Sequence, residues 1–546
     1  MITESAGFFN GFLGAVFQSL SEGSFRSGQR PCARPVRRHG DRADLGGYGI
    51  ARGEARGSKA VSRSMKPLLF ARMCCIISAG NGTKGVTAMV SEKRDAFAPQ
   101  YEKMDPGELY GYEMMTEYRQ CLDEGLDVGR YKSRFEAVEA MPPCAQREAL
   151  ADELFELIRE LPTRSDYAYR EPSDLEGILA LRDGQAAKAL PAPDVSYDKL
   201  AGAWYGRIAG CLLGKTLEGI RSQELLTLLQ GSRNYPMHRY VCSDDATPQM
   251  LETFQFDLRH RVYADRILRA PADDDTNYTV MAQQIIEKYG RDFTPDDVAQ
   301  TWLNSQPKSA YFTAERTAYL NVLRGIFPPE SALYKNKYRE YIGAQIRADY
   351  YGYICPGDPQ SAAAMAFRDA SVSHVKNGVY GAMYVAAMLA AAATADDAEQ
   401  VVRQGLSQIP RTSRLYACLQ QALRDWEQGI DRSQQIERLH AQFDEHTGYG
   451  WCHVISNALI VTLSLLYGAG DFSASVCLAV QSAFDTDCNG ATVGSVVGML
   501  RGASAIPDEW KAPLGGTLDT ELVRVGAVPI ETLIETTRRH IRSREK

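Results

Sequence analysis

Two rows of glycine spaced four residues apart constrain this chain more than any other feature. Gly202, Gly206, Gly210 and Gly214 recur through AGAWYGRIAGCLLGK, and Gly490, Gly494, Gly498 and Gly502 recur through NGATVGSVVGMLRG. Inside a helix each glycine costs roughly 0.5–1 kcal/mol relative to alanine, so rows of them at helical spacing require a compensating gain. A ridge of glycine along i±4 lets a second helix approach very closely, and that is the packing the rows predict. A third row, His374, Gly378, Ala382, Ala386 and Ala390, sets small residues behind a polar head. Glycine packs and does not react, so any chemistry belongs to the polar residues at the ends of these rows. The expectation is several helix ends gathered around a compact polar pocket.

The rest of the periodicity agrees with an all-α chain. From residue 196 onward apolar residues fall at helical spacing, and strand-like alternation is scarce. TNYTVMAQQIIEKYG places Tyr278, Met281, Ala282, Ile285 and Ile286 on one stripe and stops at Gly290. Residues 96–195 read as a helical extension, with Leu150, Leu154, Leu157, Ile158 and Leu161 on one face and the prolines of LPAPDVSYD marking a boundary near 195. Nothing in that extension suggests chemistry. The first 95 residues form a basic, Arg/Gly/Ser-rich segment too poor in periodic apolar residues to offset its ordering entropy. The simplest expectation is a natural start downstream, at Met89, with a basic targeting arm as the second reading.

Charge excludes some classes of function. Residues 1–100 carry 15 Lys and Arg against 7 Asp and Glu, which leaves 46 against 61 in the remaining chain. An acidic body is the wrong footprint for a nucleic-acid binder. The twelve cysteines are scattered without a C-x-x-C pair, as expected of reduced thiols in a cytoplasmic protein. The longest apolar run, Val379 to Ala393, is alanine-rich and reads as a buried helix, not a membrane span.

Two acidic clusters stand just before amphipathic helices. In PADDDTNYT, Asp273, Asp274 and Asp275 are consecutive. One carboxylate suffices to cap a helix, and three adjacent charges repel, a conflict most naturally relieved by a cation that prefers hard oxygen ligands. In FDTDCNG, Asp485 and Asp487 alternate with Thr486 and Cys488, a spacing that directs two carboxylates toward one point. Helix capping explains the first cluster in part and an Asx-turn explains one aspartate of the second; a shared metal explains both. Gly448, Tyr449 and Gly450 form a loop in which backbone amides could approach a phosphate while the ring stacks a base, although a generic glycine turn is an equal alternative. His453 and Asn457 lie four apart on one helix face. P-loop, nucleophile-elbow and H-E-x-x-H templates are absent.

In this order, AGAWYGRIAGCLLGKTLEG, DDDTNYT, SHVKNGVYGAMYVAAMLAAA and FDTDCNGATVGSVVGM resemble the ADP-ribosylglycohydrolases across residues 200–505. The resemblance implies a compact multi-helix domain over residues 196–546 and hydrolysis of a glycosidic bond at the anomeric carbon of ADP-ribose, in an ADP-ribosylated protein or small molecule; charge and hydropathy add the expectation of no nucleic acid or membrane partner. It implies two ions, Mg2+ or Mn2+, with Asp273, Asp274, Asp275, Asp485, Asp487 and Cys488 as ligands. On this reading Asp274, Asp275 and Glu218 are the candidate catalytic residues; the resemblance sets His374 near the substrate, and the small-residue row, the glycine loop and the polar helix pair add Gly378, Gly448, Tyr449, Gly450 and Asn457 as expected substrate contacts. Two departures stand out: Asp273 replaces a threonine or serine common in the family, and Cys488 replaces a threonine, a softer ligand that weakens one ion site. The alternatives are a non-catalytic ADP-ribose-binding or structural relative and a metal-dependent hydrolase of another nucleotide-like substrate.

Overall fold

A computed structural model describes residues 98–182 and 194–543. The readings made for residues 1–95, and the prolines before 194, lie outside the described residues.

The described chain is all-α. Its only strands, β1 (Thr517–Leu518) and β2 (Val528–Pro529), form a two-residue antiparallel pair. The helices that position the site are α1 (Met114–Asp123), α2 (Ala145–Arg159), α3 (Tyr197–Lys215), α4 (Asp274–Tyr289), α5 (Lys376–Ala392), α6 (Val454–Gly468), α7 (Thr486–Arg501) and α8 (Ile530–Arg542).

The two glycine rows meet each other. Helices α3 and α7 run antiparallel, with Gly202 against Gly498, Gly206 against Gly494, Gly210 against Gly490 and Gly214 against Thr486. A Cβ on Gly202, Gly206 or Gly210 would fall on the carbonyl oxygen of its partner, and the reverse holds for Gly490, Gly494 and Gly498. The glycine cost is therefore offset by an approach that no other residue permits. The remaining faces of both helices are buried as well: α3 is buried from Leu200 to Gly214 except at Tyr205, and α7 from Thr486 to Leu500.

Local signals set the helix ends. Ser196 caps α3 by accepting from the Lys199 amide at 3.2 Å. Helix α4 stops at Gly290, which has φ +74°, as the sequence predicts. Helix α6 runs through Gly468, and it is Ala469, at φ +50°, that turns the chain. The alanine-rich α5 is buried from Asn377 to Ala392, and among the described residues no helix is long and apolar enough to cross a membrane. Helix α8 closes the back of α3 through a Trp204 Nε1 donation to Thr537 Oγ1 at 3.0 Å.

The helical segment before α3 has its own small core, in which Leu154 and Ile158 of α2 pack with Met114, Phe135 and Val138, flanked by the partly buried Leu150, Leu157 and Leu161. It is joined to later residues by charge. Arg339 pairs with Glu117 at 2.7 Å and Glu124 at 2.6 Å, and Lys376 reaches Glu124 at 2.6 Å. Arg414 bridges Glu171 and Glu340 at 2.8 and 2.7 Å, while Gln120 donates to Glu340 at 2.8 Å. All these groups are largely withdrawn from water, so each charge depends on its partner.

Candidate metal centre

Because α3 and α7 are antiparallel, the C-terminus of one lies beside the N-terminus of the other. Thr486 Oγ1 donates to the Gly214 carbonyl at 2.9 Å, which fixes Lys215 and Glu218 next to Asp485 and Asp487. The start of α4 is brought to the same point by Arg207 of α3. This guanidinium is fully buried; it donates to the Asp275 carbonyl at 2.8 Å, pairs with Asp275 Oδ1 at 3.0 Å and with Asp349 Oδ1 at 2.9 Å, and also donates to the Ile346 carbonyl.

The two acidic stretches, more than two hundred residues apart in sequence, converge. Oxygen and sulfur atoms of Asp275, Asp487 and Cys488 lie within 4.8 Å of one another, and so do those of Cys211, Asp273 and Asp275. Asp275 is common to both groups. All five residues are buried. Asp275 Oδ2 and Asp487 Oδ1 are buried without a hydrogen-bond partner, an expensive condition for a carboxylate unless a cation satisfies it. That donor chemistry fits a divalent ion.

The carboxylates differ in what restrains them. Asp273 caps α4, accepting from the Asp275 amide at 2.9 Å, and its other oxygen lies 2.6 Å from Lys215 Nζ. Burial works against its ionisation, but Lys215 and these hydrogen bonds hold its pKa below the ordinary aspartate value. For Asp274, burial and the neighbouring Asp273, Asp275 and Glu218 push the pKa well up against the pull of Lys215. Burial raises Asp275 and Asp487 strongly, with further repulsion from Asp273 on the first and Glu218 on the second. Asp485 is raised to about 7 by burial and Glu218. Its side chain makes no cap bond to α7, so capping does not account for it. Burial followed by repulsion from Asp275 likewise raises the Cys488 thiol.

Asn457 secures the second cluster. Its Oδ1 accepts from the Asp485 amide at 3.3 Å and from Asn489 Nδ2 at 2.8 Å, while its own amide donates to the carbonyls of Trp451 and His453 at 2.9 and 3.0 Å. Glu218 is half-buried, and burial raises its pKa against the pull of Lys215.

The other substrate-contact expectations, Gly448 apart, are each held in contacts of their own. His374 is buried, hydrogen-bonded to Ser373 Oγ at 2.8 Å, and held neutral by burial and the adjacent Arg347. Gly378 packs against the Arg339 carbonyl and the His374 ring. The segment Gly448–Cys452 is a short helical turn and not the open loop read from its glycines. Gly448 is exposed with nothing near it, whereas Gly450 packs on the Asp444 carbonyl. Tyr449 donates to Asp123 Oδ2 of α1 at 2.9 Å and packs against Tyr341 and His453, with ring centres 6.1 and 4.9 Å away.

Sequence reasoning missed Arg207, Asp349 and Cys211. An arginine amid an apolar, glycine-spaced helix was the available signal for the first. It also missed the contribution of the helical extension, whose Asp123 reaches Tyr449.

Buried carboxylates and thiols at converging helix ends, inside an all-α core, form a cluster that could hold a metal ion. The chain belongs to the ADP-ribosylglycohydrolase family, whose model matches residues 192–539. That family is typically hydrolytic, which supports a glycohydrolase of the ADP-ribose type. A solved structure described as an ADP-ribosylglycohydrolase-related protein complex is similar at 18% identity, covering 63% of this chain and 98% of its own, with a TM-score of 0.38. No curated protein gives a significant match.

Proposed function

We propose that this protein hydrolyses the glycosidic bond at the anomeric carbon of ADP-ribose in an ADP-ribosylated protein or small molecule, using Mg2+ or Mn2+ held by Asp273, Asp274, Asp275, Asp485, Asp487 and Cys488. The observation that carries this reading is the convergence of Asp275, Asp487 and Cys488, with unsatisfied carboxylate oxygens, at the junction of α3, α4 and α7.

Those residues would hold a divalent ion, which would supply Lewis acidity toward ribose hydroxyls and water. The chain's own groups divide the remaining work. Arg207 holds Asp275 in place and balances part of its charge, so Asp275 is a fixed ligand more than a mobile base. Glu218 and Asp274 are less enclosed, and we assign them the proton transfer from water, Glu218 first because no capping or ligand-pair role ties it down. Asn457 keeps Asp485 in position. His374, being neutral, contributes hydrogen bonding and not charge at the substrate side.

Incubation of the purified full chain with arginine-, serine- and acyl-linked ADP-ribosyl substrates, with Mg2+ or Mn2+ and with EDTA, tests this. The expected result is release of ADP-ribose that EDTA abolishes. Tight ADP-ribose binding without release from any linkage would favour the non-catalytic alternative, and turnover insensitive to free ADP-ribose would favour a different nucleotide-like substrate.

A further inference from the structure

Two arginines near this acidic centre are not spent on it. Arg261 sits over Phe256, its guanidinium carbon 4.1 Å from the ring centre, and its Nε donates to the Asp257 carbonyl at 3.0 Å. Its terminal nitrogens have no hydrogen bond or ion pair among the described residues. Arg221 sits over Trp451 at 5.7 Å, and its Nη1 is buried without a partner.

Both are anchored at the rim of the carboxylate cluster. Beside Arg261, the Val262 carbonyl accepts from Thr216 Oγ1 at 2.6 Å, and Thr216 follows Lys215, which holds Asp273. The Phe256 ring beneath Arg261 reaches within 4.0 Å of where a side chain on Gly219 would begin. Gly219 lies between Glu218 and Arg221. Trp451, beneath Arg221, donates its indole N–H to the Phe484 carbonyl at 2.6 Å, one residue before Asp485. Both arginines thus lie against rings and segments that adjoin Glu218, Lys215 and Asp485.

Their chemistry narrows what they are for. If these arginines served only to neutralise the carboxylates, they would pair with them as Arg207 and Lys215 do. Instead each lies over an aromatic ring, a contact that favours the cation without using up its N–H donors. Burial lowers the pKa of Arg261 against the opposing pull of Glu218 and Asp257, and a partly buried cation with open donors gains most from an anion that accepts two hydrogen bonds. Phosphate oxygens match guanidinium geometry in that way. A substrate carrying phosphate beside a carboxylate-rich centre also needs fixed positive charge to offset repulsion.

The geometry points to Arg221 and Arg261 as a phosphate clamp at the rim of the centre. This rests on the proposed ADP-ribose reading for the nature of the substrate, and its ligand is a phosphate group of that substrate: either the diphosphate of ADP-ribose or a phosphate on the group being released.

Calorimetric titration of the metal-loaded full chain with inorganic phosphate and with free ADP-ribose tests the clamp, using R221M and R261M, with R261K as the charge-retaining control and thermal melts to confirm folding. The clamp predicts that each methionine substitution weakens phosphate binding about tenfold or more, while R261K, which keeps the charge but loses the two-donor fork, recovers only part of it. A parallel loss for ADP-ribose assigns the diphosphate. Unchanged ADP-ribose affinity with lost phosphate affinity assigns the released group. Wild-type protein that binds phosphate through these arginines but ignores ADP-ribose leaves the clamp standing and removes the ADP-ribose reading. Variants that bind both probes as well as the wild type overturn the clamp and leave the reading intact. Wild-type protein that binds neither probe overturns both.

Discussion

Lys215 Nζ lies 2.6 Å from Asp273 Oδ2, so the buried charge of this aspartate is met by a cation from the end of α3. The pair predicts a specific response to K215M. Removing the ammonium leaves a buried aspartate uncompensated, which costs about 3 kcal/mol when a buried pair is broken. Metal-free protein should melt several degrees lower, and added Mn2+ should recover more of that loss in K215M than the same addition raises the wild type. Thermal melts with EDTA and with Mn2+ measure both. Equal shifts in the two proteins would show that Lys215 and the ion act on separate carboxylates.

Asp487 gives the most direct test of the metal site. Its Oδ1 is buried and unpartnered, so D487N exchanges a ligand oxygen for an amide and removes a charge. Mn2+ affinity, read from the electron paramagnetic resonance signal of the free ion, should fall by roughly 100-fold. The apo protein should be no less stable than wild type, because burial and Glu218 oppose ionisation there.

Cys488 makes the ion preference adjustable. C488T puts an oxygen donor in place of a buried thiol, and hard cations favour oxygen. Calorimetry should show Mg2+ binding strengthened about tenfold, with Cd2+ binding weakened. An unchanged Mg2+ to Cd2+ ratio would mean that the sulfur never faces the ion.

Acid should release the helical extension from the later helices. Burial opposes ionisation of Glu124, yet Arg339 and Lys376 hold its pKa down to about 2. A folded-state pKa below the unfolded value adds stability that is complete above the unfolded value, near 4.5, and is lost as pH falls toward 2. Melting temperature should therefore decline across that window. E124Q should be roughly 3 kcal/mol less stable at neutral pH and show a shallower decline in acid.

The glycine seam predicts a contrast within one residue type. G206A drives a methyl group into the Gly494 carbonyl and should abolish soluble folding or cost several kcal/mol. G448A has open space around it and should stay within about 0.5 kcal/mol of wild type. Expression yield and melting temperature distinguish them.

Sequence alone shows the helices, the seam and the two acidic helix starts, because each leaves a periodic or local mark: four-residue glycine spacing, consecutive aspartates and a glycine stop at Gly290. It does not show that Arg207 ties α4 to α3, since that depends on which helices become neighbours. Nor does it show that Tyr449, set in a flexible-looking glycine stretch, is held in a helical turn with its hydroxyl on Asp123. The clusters were visible because they are local. The second arrangement depends on an extension whose surface helices carry no motif, and the buried network of Glu117, Glu124, Glu340, Arg339 and Arg414 looks in sequence like ordinary surface charge.

Between α3 and α7 there is no layer of side chains whose rotamers can relax. The spacing between the end bearing Lys215 and the end bearing Asp485 is consequently set by main-chain thickness, as in a caliper with a fixed jaw. Substitutions on the outer faces of either helix can alter stability while leaving the ligand spacing nearly untouched, whereas one extra methyl group within the seam displaces both jaws at once.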